Sequence, residues 1–337
     1  MIVVFRPNTS QTDIDKVTEE VTKLGYTPHL IQGDIQTVIA AIGDEQTHAT
    51  LEALNTWTCV ESVLRVQKRY KLVSREGRSG TVISVGNLKI GEGQELAVMA
   101  GPCSVESEKQ IIETASRVKE AGAKILRGGA FKPRTSPYEF QGLGAEGLKL
   151  LAKAQKETGL YIITELLAEE DVELVAQYAD ILQIGTRNAQ NFRLLTAAAK
   201  TGKAILLKRG MSMKIEEWLL AAEYILSNGN PNVLLCERGI RTFETYTRNT
   251  LDLSAVAIAK QESHLPVIVD PSQGCGKASL VTEMCKAAVA LNTDGLLIEV
   301  HPNPAEALSD GQQQVDYATF ESLVKQLQPF LELMNRK

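Results

Sequence analysis

From Leu96 onward, short and continuously apolar runs alternate with longer amphipathic stretches along the chain. The apolar runs predict eight strands, at Leu96–Ala100, Lys124–Arg127, Tyr161–Thr164, Ile181–Ile184, Ala204–Leu207, Val233–Cys236, Val267–Val269 and Leu296–Glu299. Intervening stretches such as IIETASRVKEAG and IEEWLLAAEYILSNG have the spacing of amphipathic helices. Strands that are apolar throughout are typical of a parallel sheet buried on both faces. Eight such units over roughly 240 residues predict an α/β fold, a closed (β/α)8 TIM barrel, with a doubly wound open sheet as the alternative.

The first 68 residues have a different pattern, with predicted elements in the order βαββαβ. Strands are predicted at Val3–Phe5, Thr27–Gln32, Thr37–Ile42 and Val60–Val66, and helices at Thr12–Leu24 and Gln46–Trp57. This order is typical of a small ferredoxin-like domain. Because the region carries no obvious catalytic group, two interpretations stay open: a structural or oligomerising appendage, and a regulatory domain that binds a ligand.

Residues 69–95 separate these two regions. The segment RYKLVSREGRSG is basic and aperiodic, as expected of a linker. The segment TVISVGNLKIGEG has two alternating runs around Gly86 and Asn87, which predicts a hairpin with a two-residue turn. The sequence thus predicts a ferredoxin-like domain at 1–68, a linker and hairpin at 69–95, and a catalytic barrel at 96–337.

The composition narrows the class of protein. Hydrophobic residues make up 44% and charged residues 23% of the 337 residues, an ordinary globular mixture. A net charge of −5 argues against a broad nucleic-acid-binding surface. No apolar run approaches the length of about 18 residues that a membrane span requires, and the N-terminus lacks a signal-type apolar segment. The five cysteines have no paired spacing, as expected of reduced thiols. We therefore expect a soluble cytoplasmic protein that binds neither nucleic acid nor membrane.

Polar residues follow nearly every predicted barrel strand. In a (β/α)8 barrel these strand ends meet on one face, where such enzymes carry out their chemistry. Six of the residues are cationic: Arg127, Lys132, Arg134, Arg187, Lys208 and Arg238. Grouped cations repel one another unless an anion binds among them, and Arg and Lys suit phosphate and carboxylate. The set predicts an anion-binding pocket, although a surface ion pair is the alternative for any single member. Arg209 and Arg241 are expected to form surface or supporting pairs.

A second group at the same face could bind a metal ion. It contains Cys103, Glu299, His301 and Asp310, with Gln273 nearby. Thiolate, carboxylate and imidazole together can bind a divalent ion and leave positions open for a substrate oxygen. The spacing alone is weak evidence for a metal site, because a lone cysteine after a Gly-Pro turn is often only a small buried residue. His301 has an equally good alternative role in packing or in supporting a ligand.

Seven segments give the chain a resemblance to a known enzyme family. They are GPCSVES, LRGGAFKPRTSPYEFQGLG, QIGTRNAQNFRLL, LLKRG, CERGIRTFE, DPS and IEVHPNPAEALSDGQQ. Together they resemble the 3-deoxy-arabino-heptulosonate 7-phosphate (DAHP) synthases, in the short subtype with an N-terminal ferredoxin-like domain. The resemblance covers essentially the whole chain. The octulosonate 8-phosphate synthases share the barrel and GPC- and KPRT-like elements, but they generally lack the N-terminal domain and rank second.

The resemblance implies a reaction and a role for each site residue. The reaction is the condensation of phosphoenolpyruvate with erythrose 4-phosphate and water, the first step of the shikimate pathway. The implied ligands of phosphoenolpyruvate are Arg127, Lys132, Arg187, Lys208 and Arg238. Arg134 and Thr135 would bind the aldose phosphate, and Cys103, Glu299 and Asp310 would bind a divalent Mn, Fe, Zn or Co ion that polarises the aldehyde. Lys132 would donate a proton to the new hydroxyl, and Glu165 would lie near the site of water addition.

The chain departs from the family pattern at one position. The family has histidine directly after Asp-Pro-Ser as a metal ligand, whereas this chain has Gln273. An amide oxygen is a weaker ligand than imidazole for most transition metals. Gln273 could still coordinate, or Cys275, His301 or water could replace it, and the protein could act without metal or on another aldose phosphate. Two further alternatives are a non-catalytic anion-binding protein and a Schiff-base aldolase that uses Lys208.

The resemblance also implies regulation and assembly. An aromatic amino acid, tyrosine or phenylalanine, would be the effector and would bind to the small domain. The protein would be a homo-oligomer, either a dimer or a tetramer.

Overall fold

The computed structural model describes residues 1–33, 36–43, 50–64 and 68–336, which divide into two compact units, Met1–Arg69 and Tyr70–Lys337. The first unit is an antiparallel sheet with strands in the order β2-β3-β1-β4. Its elements are β1 (Ile2–Phe5), α1 (Gln11–Lys23), β2 (Thr27–Gln32), β3 (Thr37–Ile42) and β4 (Val60–Leu64). This is the predicted ferredoxin-like arrangement.

One face of this sheet forms the core of the small domain. Helix α1 begins at its cap Ser10, whose side chain accepts a hydrogen bond from the backbone of Asp13. Its buried residues Ile14, Val17 and Val21 recur at helical spacing and belong to one core with residues of β1 and β3. The amphipathic pattern of the sequence is therefore enough to place the helix on the sheet.

The prediction of a second α-helix in this domain, Gln46–Trp57, is wrong for the residues that the structure describes. Residues 51–56 form a 3-10 helix, and residues 46–49 lie outside the described part of the chain. Leu51 and Leu54 are both buried, and their spacing of three matches the repeat of a 3-10 helix. The end of the predicted strand Val60–Val66 also lies outside the described residues.

The second unit contains a closed barrel of parallel strands, which confirms the predicted fold and excludes the open sheet. The strands are β7 (Ala97–Gly101), β8 (Ile125–Arg127), β9 (Tyr161–Leu166), β10 (Ile181–Ile184), β11 (Ala204–Lys208), β12 (Val233–Glu237), β13 (Val267–Val269) and β14 (Gly295–Glu299). Strand β14 pairs with β7 and closes the barrel. All eight strands are buried almost throughout, as their apolar runs require.

Helices surround the barrel. They are α2 (Glu108–Glu120), α3 (Ala145–Thr158), α4 (Val172–Tyr178), α5 (Phe192–Ala199), α6 (Ile215–Ser227), α7 (Leu253–Glu262), α8 (Pro271–Cys275), α9 (Ala278–Ala290) and α10 (Tyr317–Leu333). The main core lies between these helices and the strands and includes the fully buried Trp218 and Phe320. No helix in the described part of the chain is both long and apolar enough to cross a lipid bilayer.

The predicted hairpin closes the bottom of the barrel. Its strands are β5 (Val82–Val85) and β6 (Leu88–Gly91), joined by Gly86 and Asn87. Ile83 and Ile90 share a core with the barrel interior, and the backbone N–H of Asn87 donates to the hydroxyl of Tyr161 at the start of β9. With one end filled by apolar side chains, only the C-terminal face of the barrel is left for chemistry.

Candidate active site

The C-terminal ends of the barrel strands surround one polar cavity of about 310 Å³. It is lined by every residue that the sequence predicts for substrate binding and catalysis: Arg127, Lys132, Arg134, Thr135, Glu165, Arg187, Lys208 and Arg238. Gln273 and Asp310 from the predicted metal group also line it. The parallel strands of the barrel thus bring together residues that lie far apart in the sequence.

Four of the six cations are buried within this cavity, and the other two are more exposed. Arg127, Lys132, Lys208 and Arg238 are between 3% and 7% exposed. A buried charge is costly unless it is paired or bound to a counter-ion. The burial of these four cations therefore indicates that the cavity binds an anion. Arg187 and Arg134 lie nearer the solvent, where Arg187 donates to the Oγ1 of Thr135 at 3.3 Å and Arg134 pairs with Glu139 at 2.9 Å.

Two buried ion pairs hold the cationic groups at the bottom of the cavity. Arg127 donates from Nη1 to the Oε1 of Glu299 at 2.8 Å and to the carbonyl of Pro102 at 3.1 Å. Lys208 lies with its Nζ 2.6 Å from the Oδ2 of Asp270. The Nε of Arg127 is buried and has no hydrogen-bond partner among the described residues. A buried donor without an acceptor is unfavourable. Arg127 lines the cavity, so an anion bound there could supply the missing acceptor.

Cys103, Glu299 and Asp310 form the predicted metal group. One ligand atom from each lies within 4.8 Å of the other two. Burial raises the pKa of the Cys103 thiol to about 11, and Glu299 adds to the rise while Lys132 opposes it. The Nζ of Lys132 lies 3.2 Å from the Cys103 sulfur. Thiol and carboxylate at this separation fit a divalent transition-metal ion, which would also displace the thiol proton.

The carboxyl of Asp310 completes this group from the loop after β14. Burial alone would raise the pKa of Asp310, but the cations Arg248, Lys132 and Arg134 outweigh burial and hold that pKa below its ordinary value. Arg248 contacts it directly, with Nη1 3.2 Å from Oδ1. The carboxylate is therefore available as a charged ligand.

Gln273 lies beside this group with its amide in a defined orientation. Its Nε2 donates to the Oε1 of Glu299 at 2.8 Å and is 3.4 Å from the Oδ2 of Asp310. Its Oε1 accepts from Arg238 at 3.1 Å. The N–H side of the Gln273 amide therefore faces the two carboxylates of Glu299 and Asp310.

His301 and Cys275, the suggested substitute ligands, are not part of the metal group found among the described residues. The Nε2 of His301 is 3.2 Å from Glu106, whose other carboxylate oxygen accepts from the backbone N–H of Leu308. His301 therefore supports the loop that carries Asp310. Cys275 is buried in α8, where burial raises the pKa of its thiol to about 11.

Gln313 and Arg248 contribute to the site but are absent from the sequence-based prediction. Gln313 donates from Nε2 to the Oε2 of Glu299 at 2.7 Å, and Arg248 lines the cavity. Arg241, expected to form a surface or supporting pair, lines the cavity as well. The surface alternative for Arg209 is wrong, because this residue is buried and binds Glu237 at 3.0 Å and Asp252 at 2.9 Å. Gln313 and Arg248 lie away from the strand ends, so no strand pattern in the sequence marks them as part of the site. Arg209 directly follows β11, but its partners are distant in the sequence.

A glycine makes room for the predicted acid–base residue Glu165. A side chain at Gly185 would place its Cβ only 1.8 Å from the Oε1 of Glu165. Gly185 has an ordinary negative φ, so glycine is needed there for space rather than for its backbone conformation. The carboxylate of Glu165 thus fits in the cavity wall because the residue directly after β10 has no side chain.

The fold and the site define a (β/α)8 barrel enzyme that binds anionic substrates next to a candidate metal site. Residues 71–334 match the DAHP synthetase I family, and residues 1–68 match the DAHP synthase ferredoxin-like domain. The chain therefore belongs to the DAHP synthetase I family. It is an enzyme of the shikimate pathway, and the reaction of its family is the condensation of phosphoenolpyruvate with erythrose 4-phosphate.

Individual relatives agree with this assignment. The chain is 50% identical to phospho-2-dehydro-3-deoxyheptonate aldolase from Thermotoga maritima, over 100% of this chain and 99% of that protein. The crystal structure of that enzyme, titled as a DAHP synthase, matches with a TM-score of 0.94 over 100% of this chain and 98% of the other. A 2-dehydro-3-deoxyphosphooctonate aldolase from Bradyrhizobium diazoefficiens is more distant, at 33% identity over 77% of this chain and 97% of the relative.

Proposed function

We propose that the cavity binds phosphoenolpyruvate at its buried end and erythrose 4-phosphate at its open end, and joins them with release of inorganic phosphate. The observation that carries this proposal is the group of four buried cations in a single cavity, one of which has a donor without a partner among the described residues. Phosphoenolpyruvate carries both a phosphate and a carboxylate, so it supplies acceptors for several of these donors at once.

The phosphoenolpyruvate site is proposed to consist of Arg127, Lys132, Arg187, Lys208 and Arg238. Arg127, Lys208 and Arg238 sit at or just after strand ends on three different strands, so a rigid barrel fixes their relative positions. Lys208 and Arg127 already have a carboxylate partner each, which keeps both cations in place while they face the cavity. Binding to such a preorganised site costs little side-chain entropy.

The aldose phosphate is proposed to bind Arg134 and Thr135. Both residues follow Pro133 and line the cavity, with Arg134 half-buried and Thr135 exposed at its open end. The hydrogen bond from Arg187 to Thr135 joins this end to the phosphoenolpyruvate site. The Arg134 guanidinium is held by Glu139, an exposed partner that a phosphate could replace at little cost.

A divalent metal ion is proposed to bind Cys103, Glu299 and Asp310, with Gln273 as the fourth residue. These residues suit such an ion, because their three ligand atoms lie within 4.8 Å of one another and combine a soft thiol with hard carboxylates. When bound, such an ion polarises the aldehyde of the aldose as a Lewis acid. Which of Mn, Fe, Zn or Co binds stays part of the proposal.

Lys132 and Glu165 are proposed to move the protons of the reaction. Lys132 is buried and its Nζ lies 3.2 Å from both the sulfur and the carbonyl oxygen of Cys103. The ammonium can therefore donate a proton to the hydroxyl that forms from the aldehyde oxygen. Glu165, on the neighbouring strand β9, can accept a proton from the water that adds to the former enol carbon before phosphate leaves.

A phosphate-release assay tests the proposed function. Phosphoenolpyruvate is incubated with erythrose 4-phosphate or with arabinose 5-phosphate, with divalent metal added or chelated. Release that requires erythrose 4-phosphate and metal supports the proposal. Release with arabinose 5-phosphate instead would support an octulosonate-type enzyme, release in excess chelator would support a metal-independent one, and no release would indicate a binding protein.

Three further properties are proposed from the family assignment. The small domain is a separate compact unit, as expected if it senses an effector such as tyrosine or phenylalanine. A cytoplasmic location agrees with five free cysteines in the described part of the chain. A dimer or tetramer is proposed as the assembly, and sedimentation of the purified protein tests it.

A further inference from the structure

Two glutamine side chains each lie between an arginine and the carboxylate of Glu299. Gln273 donates from Nε2 to Oε1 of Glu299 at 2.8 Å and accepts on its own oxygen from Arg238 at 3.1 Å. Gln313 donates from Nε2 to Oε2 of Glu299 at 2.7 Å and accepts on its own oxygen from Arg248 at 3.1 Å. The two amides therefore make the same pair of contacts on opposite oxygens of one carboxylate.

These contacts determine which end of the Gln273 amide faces the metal group. A guanidinium only donates and a carboxylate only accepts, so the amide oxygen must face Arg238 and the amide nitrogen must face Glu299 and Asp310. An amide nitrogen has no lone pair for a metal ion. Gln273 can therefore act as a ligand only after its amide turns over about the terminal side-chain bond, which places its oxygen toward the metal group.

Turning the amide creates a new requirement on its other side. The amide N–H would then face the N–H of Arg238, and two donors in contact are unfavourable unless an acceptor lies between them. Arg238 and Gln273 both line the anion cavity. A substrate phosphate or carboxylate bound there is an acceptor for both groups, so it removes the conflict that the turned amide causes.

We propose that Gln273 is a positioning residue whose amide couples metal binding to substrate-anion binding in this chain. With its oxygen toward the metal group, the amide directs its N–H at the anion held by Arg238. Each ligand therefore favours the same amide orientation, and each should bind more tightly in the presence of the other by one common factor. This inference rests on the proposed binding of phosphoenolpyruvate in the cavity.

The test measures linkage on the full-length protein rather than turnover. Cadmium is titrated at buffered free concentrations, and its bond to the Cys103 sulfur is followed by the thiolate-to-metal charge-transfer absorption. Titrations are made with and without phosphoenolpyruvate, and without aldose. We expect phosphoenolpyruvate to tighten cadmium binding about tenfold, within the usual range of coupling between two sites. Calorimetry should give the same factor for the effect of cadmium on phosphoenolpyruvate.

Variants separate the amide from simple charge attraction between a cation and an anion. Gln273→His supplies a ligand that needs no amide to turn, so it should bind cadmium more tightly alone and keep less than about a threefold gain from phosphoenolpyruvate. Gln273→Glu should lose the gain as well, and provides a second variant if the first does not fold. Gln313→Leu is the matched control, because it removes the equivalent amide from Glu299 and should keep the gain.

Two results would overturn the inference. One is equal cadmium affinity of the unaltered protein with and without phosphoenolpyruvate. The other is an undiminished gain in Gln273→His or Gln273→Glu. Failure of phosphoenolpyruvate to bind at all, judged by calorimetry in the absence of cadmium and again in its presence, would instead refute the proposed function and this inference with it.

Discussion

The ion pair between Arg127 and Glu299 spans strand β7, because Arg127 ends β8 and Glu299 ends β14 on its other side. One guanidinium nitrogen of Arg127 thus contacts a proposed metal ligand at 2.8 Å, while its buried Nε is unpaired in the described structure. The same side chain contacts the metal group through Glu299 and lines the anion cavity. It is therefore the most direct link between the two halves of the site.

Replacing Arg127 with alanine should weaken phosphoenolpyruvate binding by about 1.5–3 kcal/mol, the range for hydrogen bonds to charged groups. Lys208→Ala and Arg238→Ala should fall in the same range, since both cations are buried in the same cavity. Isothermal titration calorimetry measures the change, with Arg117→Ala on the exposed side of α2 as the control. Unchanged isotherms in all three cavity variants would rule out the assigned anion site.

Lys208 should not form a Schiff base with substrate. Its Nζ lies in a buried ion pair, 2.6 Å from the Oδ2 of Asp270, so that carboxylate engages the nitrogen that would have to attack a substrate carbonyl. Borohydride added together with phosphoenolpyruvate and erythrose 4-phosphate should leave the mass of the protein unchanged. A stable mass increase located at Lys208 would instead establish the aldolase alternative.

Gly185→Ala should lower the turnover number while the protein stays folded. The new methyl group would displace the carboxylate of Glu165, whose Oε1 lies 1.8 Å from the ideal Cβ position. Loss of a positioned acid–base group costs about 100-fold or more. Steady-state kinetics should show a large fall in kcat with a small change in KM. If Glu165 is the group affected, Gly185→Ala should cost little further in a Glu165→Gln background.

Cys103→Ser should change the metal preference of the protein. The substitution exchanges a soft thiolate for a hard hydroxyl, so affinity for zinc and cadmium should fall more than affinity for manganese. Elemental analysis after dialysis against each metal measures the retained ion. Equal metal content in the variant and in the unaltered protein would place the ion elsewhere.

Glu106→Ala should weaken metal binding although Glu106 is not a proposed ligand. Its carboxylate binds His301 and the backbone of Leu308, and it thereby fixes the loop that carries Asp310. Supporting contacts of this kind change metal affinity by about 10–100-fold. A chelator-competition titration gives the affinity, and Glu120→Ala on the surface of α2 serves as the control. Equal affinities in both variants would show that the loop holds its position unaided.

Removing residues 1–69 should leave a folded and catalytically active barrel that an aromatic amino acid no longer inhibits. The two units are separately compact, and the barrel unit contains all of the proposed site residues. Circular dichroism and the phosphate-release assay, each with and without tyrosine or phenylalanine, measure the outcome. A truncated barrel that folds and remains fully inhibited would place the effector site outside the small domain.

The barrel could be predicted because its strands are continuous apolar runs. Each run can be recognised from the local sequence alone, without knowing which strands it pairs with. The convergence of Arg127, Lys208 and Arg238 follows from strand order alone. The orientation of the Gln273 amide does not, because it depends on Arg238 and Glu299, which come from other strands. The burial of Arg209 could not be predicted from the sequence either, because its partners Glu237 and Asp252 lie at least 28 positions away in the chain.

The short hairpin β5–β6 belongs to the same compact unit as the barrel interior that it seals. Ile83 and Ile90 supply the apolar side chains for that seal. The sequence before Tyr70 can therefore change during evolution without removing those side chains. The barrel and the small domain can consequently diverge as separate modules, each under its own selection.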